Sequence, residues 1–214
     1  MRKTALSVLL LAAAPSLFAA DEVLGTWVST LRSSAGLGMI LTFQPAGKLE
    51  SSISALVETW YRTDGDKFMQ PGATPADKPT VARFHFEGDT LVFNHENDPP
   101  LRLTRVGTAE KGAPPIVGKW KVDEQKTIEY TNDGLIKIRY PITTSTGTWD
   151  AATSSLLLAA GKGQFRLANG LLILKMYGAD EQSFIRTDAS KAEIRKANIK
   201  YGDKPMDLDP PASH

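Results

Sequence analysis

The three histidines of this 214-residue chain, His85, His95 and His214, are the side chains best suited to move a proton or hold a metal near neutral pH. Their spacing supports neither role. His85 falls on the outward side of an alternating stretch, His95 at the end of another and His214 in the tail. The patch Asn94-His95-Glu96-Asn97-Asp98 contains ligand-type groups, but polar hairpin loops have this composition in their own right. Asp64 and Asp66 flank Gly65 as a turn requires, which outweighs a calcium reading. There is no Gly-x-Ser-x-Gly elbow, no Ser-x-x-Lys, no cysteine nucleophile, no His-x-x-x-His and no glycine-rich phosphate loop. The expectation is a protein that is not an enzyme, with no catalytic residues, no metal site and no cofactor.

What repeats in the chain is structural. One copy of a pattern runs from Gly25-Thr26-Trp27 to Leu103-Thr104-Arg105, and a second from Gly118-Lys119-Trp120 to Phe184-Ile185-Arg186. Trp60 aligns with Trp149, so all four tryptophans fall on repeat positions. From Phe84 to Arg105 the match to Phe165 through Arg186 needs no gap, at a constant offset of 81. Trp60 and Trp149, with Tyr61, could serve as platforms for sugars or a protein, but a position that recurs in both copies is better explained by the fold. The polar stretch Gln70 to Thr80 is peculiar to the first copy and is the loop best placed for function.

Apolar residues alternate at period two within each copy, as in Met39, Leu41, Phe43 and in Leu172, Leu174, Met176, which is strand patterning with one buried face. Turn chemistry separates the runs at Pro45-Ala46-Gly47, Asp64-Gly65, Gly88-Asp89, Asp133-Gly134 and Asn169-Gly170. About eight strands per copy are predicted, in the first near residues 24–31, 38–44, 48–56, 57–63, 66–69, 80–87, 90–95 and 101–106. A one-faced antiparallel meander of that size avoids exposed edges most simply by closing into a barrel. A capping box, Ser190 with Glu193, predicts one short helix after Arg186, and Tyr201 to His214 reads as a loose tail.

Gly-x-Trp on a first strand with arginine on a last strand resembles the calycin superfamily, which includes lipocalins, fatty-acid-binding proteins, avidins and some periplasmic protease inhibitors. The resemblance implies an all-β fold of two tandem eight-stranded antiparallel up-and-down lipocalin-like barrels with a short C-terminal helix. Its signature residues would be Gly25, Trp27, Arg105, Gly118, Trp120 and Arg186, with Arg105 stacked across Trp27 and Arg186 across Trp120. The corresponding organisation is repeat 1 over 21–107, a linker over 108–115, repeat 2 over 116–188 and a helix with tail over 189–214. The copies are shorter than a lipocalin and lack bracing cysteines.

The family reading makes the protein a binder of a small apolar molecule, with Met39, Leu41, Ser51, Ile53, Ala55, Phe84, Phe86 and Phe93 lining the first barrel. The bulk of most of these residues argues for a filled interior, while Ser51 and Ala55 make the first barrel the better cup. The alternative is a protein-interaction or inhibitor module with solid barrels and an envelope protein as partner. Two barrels or one larger shared barrel both fit the pattern.

Residues 1–20, with Arg2, Lys3, the apolar run Ala5 to Ala14 and Ala19-Ala20, read as a cleavable bacterial secretory signal. The run is too short to span a bilayer, so the mature chain is expected to be periplasmic or secreted with no transmembrane segment. Cleavage leaves 23 basic against 24 acidic residues, scattered together, which points away from nucleic acid.

Overall fold

Period-two alternation dictates strands, and strands are what the chain forms. The computed structural model describes residues 20–72, 78–94 and 99–210. The signal-like leader, His95 with most of its polar patch, the centre of the Gln70–Thr80 loop and His214 lie outside the described residues. The first copy supplies α1 (Ala20–Val23), β1 (Gly25–Ser29), β2 (Leu31–Arg32), β3 (Leu37–Gln44), β4 (Lys48–Trp60), β5 (Arg62–Asp64), β6 (Lys67–Gln70), β7 (Thr80–Glu87), β8 (Thr90–Asn94) and β9 (Leu101–Val106). The second supplies β10 (Gly118–Lys121), β11 (Thr127–Tyr130), β12 (Leu135–Asp150), β13 (Ser155–Leu158), β14 (Gly161–Ala168), β15 (Leu171–Met176) and β16 (Glu181–Arg186). After them come α2 (Lys191–Ala197), β17 (Lys200–Tyr201) and β18 (Lys204–Pro205).

The protein is all-β, built on one antiparallel sheet of 15 strands. Eight of them close into a ring in the order β12, β13, β14, β15, β16, β1, β3, β4, with β4 returning to β12. This ring mixes the copies, taking three strands from the first and five from the second. The remaining strands run from β12 through β11, β10, β9, β8, β7 and β6 to β5. Tyr61 links β5 to β4, and its N–H donates to Gly134 O at 2.8 Å, which brings this second lobe back to the start of β12.

The expected closure of each copy on itself is therefore corrected. β1 pairs with β16, placing Trp27 opposite Arg186, and β9 pairs with β10, placing Trp120 opposite Arg105. The cause is the length of one strand. The two strands predicted over 48–56 and 57–63 are one 13-residue strand, β4, paired along its length with the 16-residue β12. A strand that long leaves one lobe and enters the other, carrying β5 to β9 away from β1.

Both cores are consequently shared. Leu41 and Phe43 of the first copy pack with Phe165, Leu172, Leu174 and Phe184 of the second inside the ring. Leu91, Phe93 and Leu103 pack with Trp120, Ile128, Tyr130 and Ile136 in the other lobe. Each lobe is sealed by the same lock. The Trp27 indole N–H donates to Val23 O and that of Trp120 to Ile116 O, both at 2.8 Å. The guanidinium carbon of Arg186 sits 4.8 Å from the Trp27 ring centre, and that of Arg105 sits 4.1 Å from Trp120. A Cβ on Gly25 or Gly118 would lie 2.7 Å from that guanidinium, and both residues have positive φ, 113° and 132°. The glycine of each Gly-x-Trp is thus required twice, by space and by backbone conformation.

Residues 21–110 and 113–214 expressed separately are each expected to remain unfolded by circular dichroism and to regain strand signal when mixed, because neither carries a complete core. Trp27→Ala and Trp120→Ala are each expected to lower unfolding free energy by about 3–5 kcal/mol in urea titrations. Arg105→Ala and Arg186→Ala should each cost about 1–2 kcal/mol.

Candidate functional site

The residues expected to line one cup are divided by the strand exchange. Met39, Leu41, Ser51 and Ile53 belong to the ring, Phe84, Phe86 and Phe93 to the other lobe, and Ala55 to the ribbon between them. Leu41 and Phe93 are core. Ser51, expected to leave room, is buried with its hydroxyl 2.7 Å from that of Ser145. Phe86 packs toward the second lobe's lock, 6.1 Å from the Trp120 ring. The ring interior is filled by Trp27, Phe43, Leu49, Trp149, Phe165 and Phe184. Trp60 and Trp149 are both buried, and the Trp149 indole N–H donates to Gln44 O at 2.9 Å, so neither is a platform. Tyr61 is buried as well, its hydroxyl donating to Thr131 O.

One recess opens at the mouth of the ring. Ser29, Leu31, Leu37, Met39, Ile53 and Gln182 edge a recess of about 440 Å³ above the filled core. The apolar floor does not stop at the rim. Along β4 the side chains of Leu49, Ser51, Ile53, Ala55 and Val57 share one face, because strand neighbours alternate. Leu49 is in the ring core, and Ile136, opposite Thr59, is in the second core. Between these cores Leu37, Ile53, Val57 and Tyr140 are each 37–41% exposed, and Ile142 stands out where the ladder slips between Pro141 and Thr143. Both lobes thus curl over the same face of the β4–β12 ribbon and leave an uncovered apolar strip at its centre. The period-two pattern places Ile53 and Ala55 of this strip on the inward face. Only the length of β4 and β12 could have signalled that their middle lies in neither core.

The opposite face of the ribbon is covered around Leu56 and Leu135. Leu56, Leu135, Val28 and Ile185 pack beneath Ala189, Ile194, Ile199 and Leu208, so the expected loose tail from Tyr201 is ordered at least to Leu208. α2 begins with the predicted capping box, Ser190 with Glu193, and ends at Asn198 in a left-handed conformation. Under this strap lies a buried ion pair between Arg32 and both carboxylate oxygens of Glu58, whose side chains are almost fully buried. The Tyr201 hydroxyl accepts the Glu58 N–H at 2.9 Å and an Arg32 N–H at 3.1 Å, leaving its proton directed at Glu58 Oε2. Burial, reinforced by the Glu58 charge, pushes the Tyr201 phenol up to about 12. Burial alone would lower the Arg32 pKa, and the adjacent carboxylate raises it instead. Lys137, opposite Glu58, donates to Thr187 O and Ala189 O at 3.0 and 2.9 Å, and burial lowers its pKa. This cluster has its polar groups satisfied within the protein and faces none of the open recesses, which assigns it to holding the strap.

Of the other candidates, His85 is exposed on the outer face of β7, its Nε2 3.1 Å from Glu87 Oε1 and its Nδ1 3.3 Å from Asn94. Asp66 pairs with Arg83 beside the turn at Gly65. No helix among the described residues is long and apolar enough to cross a membrane. No protein-family model matches the chain, and no curated protein or solved structure is significantly similar to it.

Glu58→Gln leaves a buried guanidinium without its counter-charge and is expected to cost about 3–5 kcal/mol in chemical denaturation. Arg32→Met combined with Glu58→Leu should recover much of that loss, since neither charge then remains buried alone.

Proposed function

We propose that this chain is an exported, non-enzymatic binding protein whose two lobes are filled lipocalin-like barrels and whose contact surface is the apolar strip of the β4–β12 ribbon. The partner is an envelope protein presenting apolar side chains. The observation that carries this reading is the combination of filled lobes with Leu37, Ile53, Val57, Tyr140 and Ile142 left uncovered on one face. A continuous exposed apolar surface is characteristic of interaction sites, and a tyrosine within it supplies a rigid anchor. The expectation of an exported chain rests on the leader, and the lipocalin-like reading on the repeated Gly-x-Trp and arginine.

A second reading, a small apolar ligand, is favoured by the recess of about 440 Å³ at the ring mouth. Such a volume suits a small molecule, although the lining is open and shallow above Leu41 and Phe184.

Native mass spectrometry of protein purified from its own host is expected to show the bare polypeptide. A photocrosslinker at position 53 should capture one defined protein, and Leu37→Asp should abolish that capture while leaving stability within about 1 kcal/mol. A lipid-sized adduct displaced by Ile53→Trp would establish the ligand reading instead.

A further inference from the structure

The long ribbon has an edge as well as two faces. β11 pairs with β12 only as far as Arg139, and β13 takes up the pairing only from Thr148. Between them residues 141–147 have β4 on one side and no strand on the other among the described residues. Ile142, Thr143, Thr144 and Thr146 are exposed there. Hairpins bound the opening. At one end the turn between β10 and β11 brings Gln125 Oε1 to within 3.0 Å of the Tyr140 hydroxyl, and at the other Leu157 stands opposite Thr148.

Register identifies the backbone groups that line this edge. In an antiparallel ladder a residue turns its N–H and C=O toward the same neighbouring strand, and the next residue turns them the other way. The Tyr61 N–H donates to Gly134 O and the Leu56 N–H to Gly36 O, so odd-numbered positions along β4 bond toward β12 and even-numbered ones away from it. Beyond the slip in the ladder, Thr143, Ser145 and Gly147 stand opposite Ile53, Ser51 and Leu49 and are the residues bonded to β4. Thr144 and Thr146 therefore each turn a donor and an acceptor to the open side.

These groups select their ligand. Donor and acceptor pairs that recur about 7 Å apart match an extended polypeptide, and a sugar or lipid has no such repeat. Sheet edges that proteins guard carry charged side chains, and residues 142–146 carry none. Pro141, the slip and the hairpins at either end limit the opening to about five residues, or about 16 Å. The 16-residue β12 of a second copy does not fit in it.

We propose that this edge receives a short extended segment of the envelope protein, added antiparallel to β12 as one more strand. The proposal rests on the contact surface described above and supplies its mode of attachment. Thr143 and Ser145 share the face of Ile53 and Ser51, so Thr144 and Thr146 point to the other face. Segment residues opposite Thr144 and Thr146 lie beside those hydroxyls, and the residues between them extend the apolar strip across β12. The favoured segment thus alternates hydroxyl-bearing with apolar side chains.

The test is amide hydrogen exchange of the full-length protein, read by nuclear magnetic resonance. In the free protein the Thr144 and Thr146 amides are expected to exchange roughly tenfold or more faster than that of Ser145. A capped peptide, Lys-Val-Thr-Val-Thr-Val-Lys, should slow both about tenfold at millimolar concentration. Methylating its two threonine amides, which face β12, should abolish this protection, whereas methylating its central valine amide, which faces away, should not. Thr144→Pro removes a donor that does not bond β4 and should weaken the peptide about tenfold. The methylated peptides leave the protein unaltered, so the result does not depend on how that variant folds. The proposal is overturned if Thr144 and Ser145 exchange alike in the free protein, if both methylations act equally, or if millimolar peptide protects neither threonine. Continued capture of a protein from position 53 beside any of these results would spare the contact surface, so the two readings fail separately.

Discussion

The interaction on which the architecture depends is an arginine lying over a tryptophan with a glycine beneath it. In each lobe the indole N–H is anchored to a carbonyl four residues earlier, the guanidinium covers the ring, and the glycine leaves the space that guanidinium occupies. The second N–H group of the fork is used as well. Arg186 donates to Glu22 O, and Arg105 donates to Val117 O and Pro115 O. An arginine supplies both functions because its planar group can stack and donate at once, which a lysine cannot do. Each lock joins strands from different copies, so it closes a lobe and holds the two halves of the chain together in one contact.

The long β4–β12 pairing belongs to the same exchange. A ribbon that belongs to both lobes must cross the space between them, and both of its faces are then exposed to whatever is available there. The C-terminal strap covers one with apolar side chains and the Arg32–Glu58–Tyr201 cluster. The other remains open beside the mouth of the ring. Filled lobes and an open ribbon place the uncovered apolar side chains between the lobes rather than inside a barrel.

Much of the fold is legible in the sequence. The alternation of Met39, Leu41 and Phe43 marks β3, the ungapped match ending at Arg105 and Arg186 marks β9 and β16, and Ser190 with Glu193 marks α2. What escapes is pairing. Trp27 with Arg105 and Trp27 with Arg186 have identical local signals, because duplicated strands present the same residues to either partner. The deciding information is whether Glu58-Thr59-Trp60 ends one strand or completes a longer one, and no turn residue stands between Ala55 and Trp60 to separate them. The cup residues are scattered for the same reason: their parity is plain in the sequence, but the exchange distributes them over two interiors rather than one.

The pairing of β1 with β16 also sets the order of events in folding. Trp27 meets Arg186 only when most of the chain exists, so the edge strand left by the first residues waits through most of synthesis for its partner. Such a chain has high contact order and spends its early life with an unpaired sheet edge, the state in which β proteins associate with one another. A holding chaperone acting on the nascent polypeptide would match that interval.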